Sequence, residues 1–260
     1  MTRKEFAQAV AQKVNGTVQE TEKTNGVIMT GVSIKTEGNA SPTVYTDSML
    51  EDGLTVDEAV EKILQEIPPH TICNIDVDFF KDFEAVKPRL RARLYNQKTN
   101  AEVSRKAPAP FDDLIITAYV EGFKIGGSVG AIKVKAEHLK MWDVTADEVL
   151  DIAEANSKEH ATIQNMSEVM AELGHQELGL EESPMWVVST TDKVNGAYAV
   201  IALMDELKDR FKSFTVLPSS VHEVLVVTVD SDEYDSMVQE VNDTQVDYMD
   251  QLCNHAYKVA

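Results

Sequence analysis

The chain has 260 residues, 43% of them apolar and 26% charged, with a formal net charge of −20. Folding a chain of this size buries about 70% of its extended surface, ample for an unstapled core, and so ordinary a composition excludes wholesale disorder, collagen-like repeats and coiled-coil rods. Its two cysteines, Cys73 and Cys253, exclude a disulfide scaffold and a cysteine-rich zinc module. No apolar run is long enough to span a bilayer, and the charged start Met1-Thr-Arg-Lys leads into no apolar signal core, so a cytoplasmic protein with no membrane contact is expected.

In chain order, the capping box Thr2-x-x-Glu5 opens a helix that Asn15-Gly16 closes. Two β-rich stretches, 17–23 and 27–35, flank Asn25-Gly26 and predict a hairpin. A loop at 38–42 precedes a short strand at 43–46. Thr55-x-x-Glu58 opens a second helix, with Val56, Val60, Ile63 and Ile67 on one face, and Pro68-Pro69 stops it. A third helix is expected over 81–95, with Pro88 in its first turn or kinking it. The run Ala107-Pro-Ala-Pro110 reads as a rigid connector and divides an N-terminal lobe, 1–106, from a C-terminal lobe, 107–260.

Residues 114–120 form an expected central strand, and 128–135 pair back on it through Gly126-Gly127. Helices follow at 136–142, 145–156 and 167–173, then a loop at 174–183. A strand at 185–190, one long helix at 197–211, strands at 215–217 and 223–229, a helix at 232–241 and a last strand at 255–259 complete the pattern. Helices and strands interleave with several hairpins. This predicts an α+β fold, with antiparallel or mixed sheets, helices on one side and room for two lobes.

The charge is divided unevenly. Residues 1–135 hold 17 Lys/Arg and 19 Asp/Glu, whereas 136–260 hold 7 and 25, a net of −18 in the second half. Such a surface repels phosphate backbones, so no direct nucleic-acid contact is expected; it speeds encounter with a basic protein. Asp230, Asp232, Glu233, Asp235, Glu240, Asp243, Asp247 and Asp250 are the candidate partner-binding acids. Residues 87–106 run the other way, with seven Lys/Arg against Glu102. On a strand, Arg89, Arg91 and Arg93 share a face and form a candidate anion site; the competing reading pairs them with the protein's own carboxylates.

Other chemistry is sparse. Gly126-Gly-Ser-Val-Gly130 fits neither nucleotide fingerprint and reads as a turn. Asp230-Ser-Asp-Glu-Tyr-Asp235 lacks the glycine and final glutamate of a calcium loop. Neither His255 nor the other histidines show ligand spacing, so neither a metal nor a cofactor is expected. The paired acids Asp76, Asp78, Asp112 and Asp113 would hold magnesium if brought together; the competing and favoured reading is turn and strand-end residues. Ser220, His222 and Glu223 are the hydrolase-type candidates, with Ser219 beside them; the competing reading is a turn whose hydroxyls satisfy backbone groups.

Three stretches carry a resemblance: Glu137-His-Leu-Lys-Met-Trp-Asp-Val-Thr145, Leu217-Pro-Ser-Ser-Val-His-Glu-Val224 and Met237-Val-Gln-Glu-Val-Asn-Asp-Thr-Gln-Val246, with Asn195-Gly196-Ala197 and Ser41-Pro42-Thr43 in matching order. The chain resembles an uncharacterised bacterial family known only as a domain of unknown function, carried by gut-type anaerobes and their mobile elements. The resemblance implies one continuous α+β unit, of one or two lobes, and an accessory role; it transfers no catalytic residue. The leading expectation is a non-enzymatic binding protein whose acidic half docks on a basic protein, extending to a nucleic-acid-mimicking inhibitor of a bacterial defence protein. The alternatives are a hydrolase using 219–223 and a structural or regulatory module without a small-molecule site.

Overall fold

A computed structural model describes residues 1–74, 76–125, 128–174, 183–218 and 220–260, and the side chains of all these except 123–125 and 128–129. The Gly126-Gly127 turn, His175, Ser219 and most of the 174–183 loop lie outside the described residues. The chain divides into two compact units: a smaller one of residues 1–78 with 122–130, and a larger one of 79–121 with 131–260.

The smaller unit follows its local signals. Helix α1 (Arg3–Val14) starts at Thr2, whose hydroxyl accepts from the Glu5 N–H while the Glu5 carboxylate accepts from the Thr2 N–H. It ends at Asn15 in the left-handed conformation, as a short polar side chain tolerates. Strands β1 (Gly16–Glu22) and β2 (Ile28–Ile34) form the expected antiparallel hairpin, and β3 (Thr43–Tyr45) pairs on the far side of β2. The short α2 (Asp47–Glu51) follows, then α3 (Val56–Glu66), which uses the second capping box at Thr55. Phe6 and Val10 of α1, Val32 of β2, Met49 of α2 and Ala59 and Ile63 of α3 make one core. Helix α4 (Val77–Lys81) spans the division between the units.

The larger unit holds the main correction to the sequence reading. The expected helix over 81–95 is only α5 (Phe83–Val86) and a 3-10 turn, Lys87–Arg89, with Pro88 inside it. From there the chain is strand β4 (Leu90–Asn96), paired antiparallel from Leu90 opposite Val120 to Asn96 opposite Leu114. The alternation of Leu90, Ala92 and Leu94 with Arg91 and Arg93 buries one face of a strand. That period-two pattern overrides helix propensity once a partner strand is present.

Strand β5 (Ser104–Lys106) lies on the other side of β6 (Leu114–Ile125), and β7 (Ser128–Lys133) also pairs with β6, giving a four-stranded sheet. The 107–110 connector joins neighbouring strands of this sheet, with the Ala107 N–H donating to the Leu114 carbonyl.

Helices α6 (Ala136–Trp142) and α7 (Ala146–Lys158) follow, with α7 packed on β4 and capped by Thr145. Then come β8 (Ala161–Asn165), α8 (Met166–Glu172) and β9 (Met185–Thr190). The long helix expected over 197–211 is instead a 3-10 turn, Gly196–Tyr198, then α9 (Ala199–Ala202) and α10 (Met204–Phe211). Its start is held tight because the Gly196 and Ala197 N–H groups donate to the carbonyls of His222 and Val221. At Leu203, φ −105° and ψ 13° leave the helical well.

Strands β10 (Phe214–Leu217) and β11 (Val224–Val227), helix α11 (Tyr234–Thr244) and β12 (Tyr257–Val259) complete the chain. The second sheet runs β12-β10-β11-β9-β8, antiparallel throughout. The fold is therefore α+β. Among the described residues, no helix is long and apolar enough to cross a membrane.

Candidate functional site

The basic stretch is largely answered from within. Only Arg91 and Arg93 share a face of β4; Arg89 precedes the strand and its guanidinium lies over the Phe79 ring. Arg93 donates to Glu121 at 2.8 Å and stacks on Tyr119. Burial works against its charge, but Tyr95 and Glu121 together hold its pKa above the usual arginine value. Arg105 donates to Asp151 at 2.6 Å and lies 3.4 Å from Glu154, which accepts from the Tyr198 hydroxyl.

Arg91 differs. Its guanidinium bonds the Pro88 and Leu90 carbonyls and meets His160 Nε2 at 3.0 Å. Arginine can only donate, so that nitrogen accepts and the His160 proton sits on Nδ1. Both residues line a cavity of about 110 Å³ with Ser157, Thr190, Asp192 and Asn195. That is room for about three or four waters, below the roughly 300 Å³ at which ligand clefts begin.

Asn195 leads to the hydrolase-type segment. Its backbone N–H donates to His222 Nδ1 at 3.2 Å, so the ring proton is on Nε2, which faces Asp250 at 3.7 Å. The Ser220 hydroxyl oxygen accepts from the His222 N–H, and the His222 carbonyl accepts from Ser189 Oγ. The imidazole is thus oriented by the Asn195 N–H, with Asp250 beyond hydrogen-bond distance, while Ser220 makes a turn-type bond to the backbone. Glu223 is exposed.

The eight acids sort by surroundings. Asp230 pairs with Lys258 at 3.0 Å, Asp235 accepts from the Ala256 N–H, Asp247 accepts from the Met249 N–H, and Asp250 faces His222. Asp232, Glu233, Glu240 and Asp243 are exposed and form no ion pair among the described residues. Helix α11 buries Tyr234, Val238 and Asn242. Helical spacing puts Glu233, Met237, Glu240, Val241 and Thr244 on a neighbouring face, where Met237 is 41% and Val241 39% exposed.

A fourth cluster joins Asp113, one of the paired acids, to Cys253 and His255, which show no ligand spacing in the sequence. Asp113, Cys253 and His255 bring one carboxylate oxygen, the thiol sulfur and a ring nitrogen within 4.8 Å of one another. Asp113 lies just before β6, and Cys253 and His255 just before β12. The Cys253 thiol is buried and donates to the His255 carbonyl; burial pushes its pKa up. Tyr257 donates its hydroxyl to Asp113 Oδ1, and burial raises the Tyr257 pKa. The one local signal was Cys253-Asn-His255, two ligand-type residues two apart; Asp113 is far away in sequence.

These features describe an α+β protein of two units with an acidic, partly apolar helix face on the larger unit. A family model described as a family of unknown function (DUF5688) matches residues 1–259, and the chain belongs to that family. Searches of the curated proteins and of the solved structures find no match.

Proposed function

We propose that this protein is a non-enzymatic binding protein that docks its acidic C-terminal region on a basic surface of a partner protein. The observation that carries the reading is the exposed face of α11 on which Met237 and Val241 lie beside Glu233 and Glu240, with Asp232 and Asp243 exposed nearby. Exposed apolar area bordered by charge is the composition of a docking surface. The carboxylates supply steering; the methionine and valine supply area that leaves water on contact. Such a face suits a partner helix or strand that alternates Lys/Arg with apolar residues. The finer reading, that the carboxylates stand in for nucleic-acid phosphates on a defence protein, rests on the same groups; competition by duplex DNA for the captured partner tests it.

The primary test is affinity capture from host cells at low and high salt, followed by association kinetics with the recovered protein. A Glu233→Lys/Glu240→Lys/Asp243→Lys variant is expected to lower the association rate about tenfold at low salt and to flatten its salt dependence, as loss of steering does. A rate and a salt slope equal to those of the parent overturn the proposal.

A further inference from the structure

We propose that Asp113, Cys253 and His255 form a binding site for a borderline-soft divalent cation, with zinc as the natural fit. A thiolate and an imidazole together select zinc-type ions over magnesium or calcium, which take oxygen ligands.

The geometry is that of ligands spread around an ion. The nearest side-chain approach of His255 to Asp113, Nε2 to Oδ2, is 3.7 Å. That is too long for a hydrogen bond. It is close to the separation of about 3.4 Å between two ligand atoms that each sit about 2.1 Å from a tetrahedral zinc. The three ligand atoms lie within 4.8 Å of one another, so side-chain rotations of about 1 Å close the set around bonds of about 2.0–2.3 Å.

The surroundings support those ligands. The Tyr257 hydroxyl donates to Asp113 Oδ1 and leaves Oδ2 directed at His255. A hydroxyl that donates to a ligating carboxylate in this way is a usual outer support of a metal site. The backbone that carries Cys253 and His255 is anchored on both sides: Asn242 donates to the Cys253 carbonyl, and the Ala256 N–H donates to Asp235. Cys253 is buried, whereas the side chains of Asp113 and His255 are 36% and 44% exposed. The ion therefore enters from the solvent side, and three protein ligands leave a fourth position for water or for a group brought by a partner. Binding displaces the thiol proton, which leaves to solvent, and the sulfur exchanges its bond to the His255 carbonyl for one to the ion.

The test is titration of the reduced full-length protein with Co²⁺, read by thiolate-to-cobalt charge-transfer absorption, then displacement by Zn²⁺. One equivalent is expected to bind with that absorption. Cys253→Ser should abolish the band, His255→Ala should weaken binding more than tenfold, and Tyr257→Phe should weaken it about tenfold. Cys73→Ser should leave the band intact. In the unsubstituted protein, saturating Zn²⁺ should protect Cys253 from alkylation and leave Cys73 unprotected, a readout independent of variant folding. Absence of a thiolate band, or equal alkylation of Cys253 with and without Zn²⁺, overturns the proposal.

Discussion

Asn242→Ala is expected to destabilise the larger unit by about 2 kcal/mol. Asn242 is buried on α11, and its amide donates to the Cys253 carbonyl at 2.8 Å and to Asn254 Oδ1 at 2.6 Å. Each bond contributes about 1 kcal/mol net, and a buried carbonyl stripped of its donor adds about 1 more. Against this, Asn242 Oδ1 is itself buried without a partner among the described residues, so its removal returns about 1 kcal/mol. Asn242→Asp keeps the volume but sets an acceptor, or a charge, against two acceptors, and is expected to cost more than alanine. Both tryptophans, Trp142 and Trp186, belong to the larger unit, so urea unfolding followed by tryptophan fluorescence reports on that unit. With a slope near 2 kcal/mol per molar, the alanine variant should lower the midpoint by about 1 M at unchanged slope. A midpoint within about 0.2 M of the parent, or an aspartate variant more stable than the alanine one, refutes this account of the anchor.

Two further outcomes follow from other parts of the larger unit. A Cβ built on Gly196 falls 2.4 Å from Ser189 Oγ and 2.5 Å from the Thr190 backbone nitrogen, so Gly196→Ala must move backbone and should cost about 3 kcal/mol; a urea midpoint equal to that of the parent would contradict the tight packing of this turn. His138 packs against Phe80 and Trp142 and accepts the Lys135 N–H at Nδ1. Its pKa lies below the usual 6.5, chiefly through burial, with Glu137 and Glu102 opposing and Lys135 assisting. The unfolded chain therefore takes up the proton first. The contribution of the neutral ring is complete above pH 6.5 and is lost as pH falls from there through the lowered folded-state value. The unfolding midpoint of the parent should accordingly drop more between pH 7.5 and 5.5 than that of His138→Gln, and equal drops would reject the assignment.

Local signals in the sequence determined much of the fold. The caps at Thr2, Thr55 and Thr145 mark three helix starts, because a hydroxyl two or three residues from an orphan N–H needs no distant partner. Asn25-Gly26 determined the β1–β2 hairpin, since turn chemistry acts within a few residues. The acidic excess of the second half was equally legible, because charge counts require no geometry.

The tertiary structure decided the rest. Residues 90–96 carry a pattern that both helix and strand accommodate, and β6 resolved it by offering hydrogen bonds from Leu90 through Asn96. The helix expected over 197–211 was interrupted after its start had been tied to 221–222 by backbone bonds. Those same bonds and the Asn195 N–H fixed which way the His222 ring faces. The meeting of Asp113 with Cys253 and His255 joins positions separated by some 140 residues. No periodicity or spacing encodes a contact of that range, because it exists only once two sheets and the segment anchored by Asn242 have closed around it.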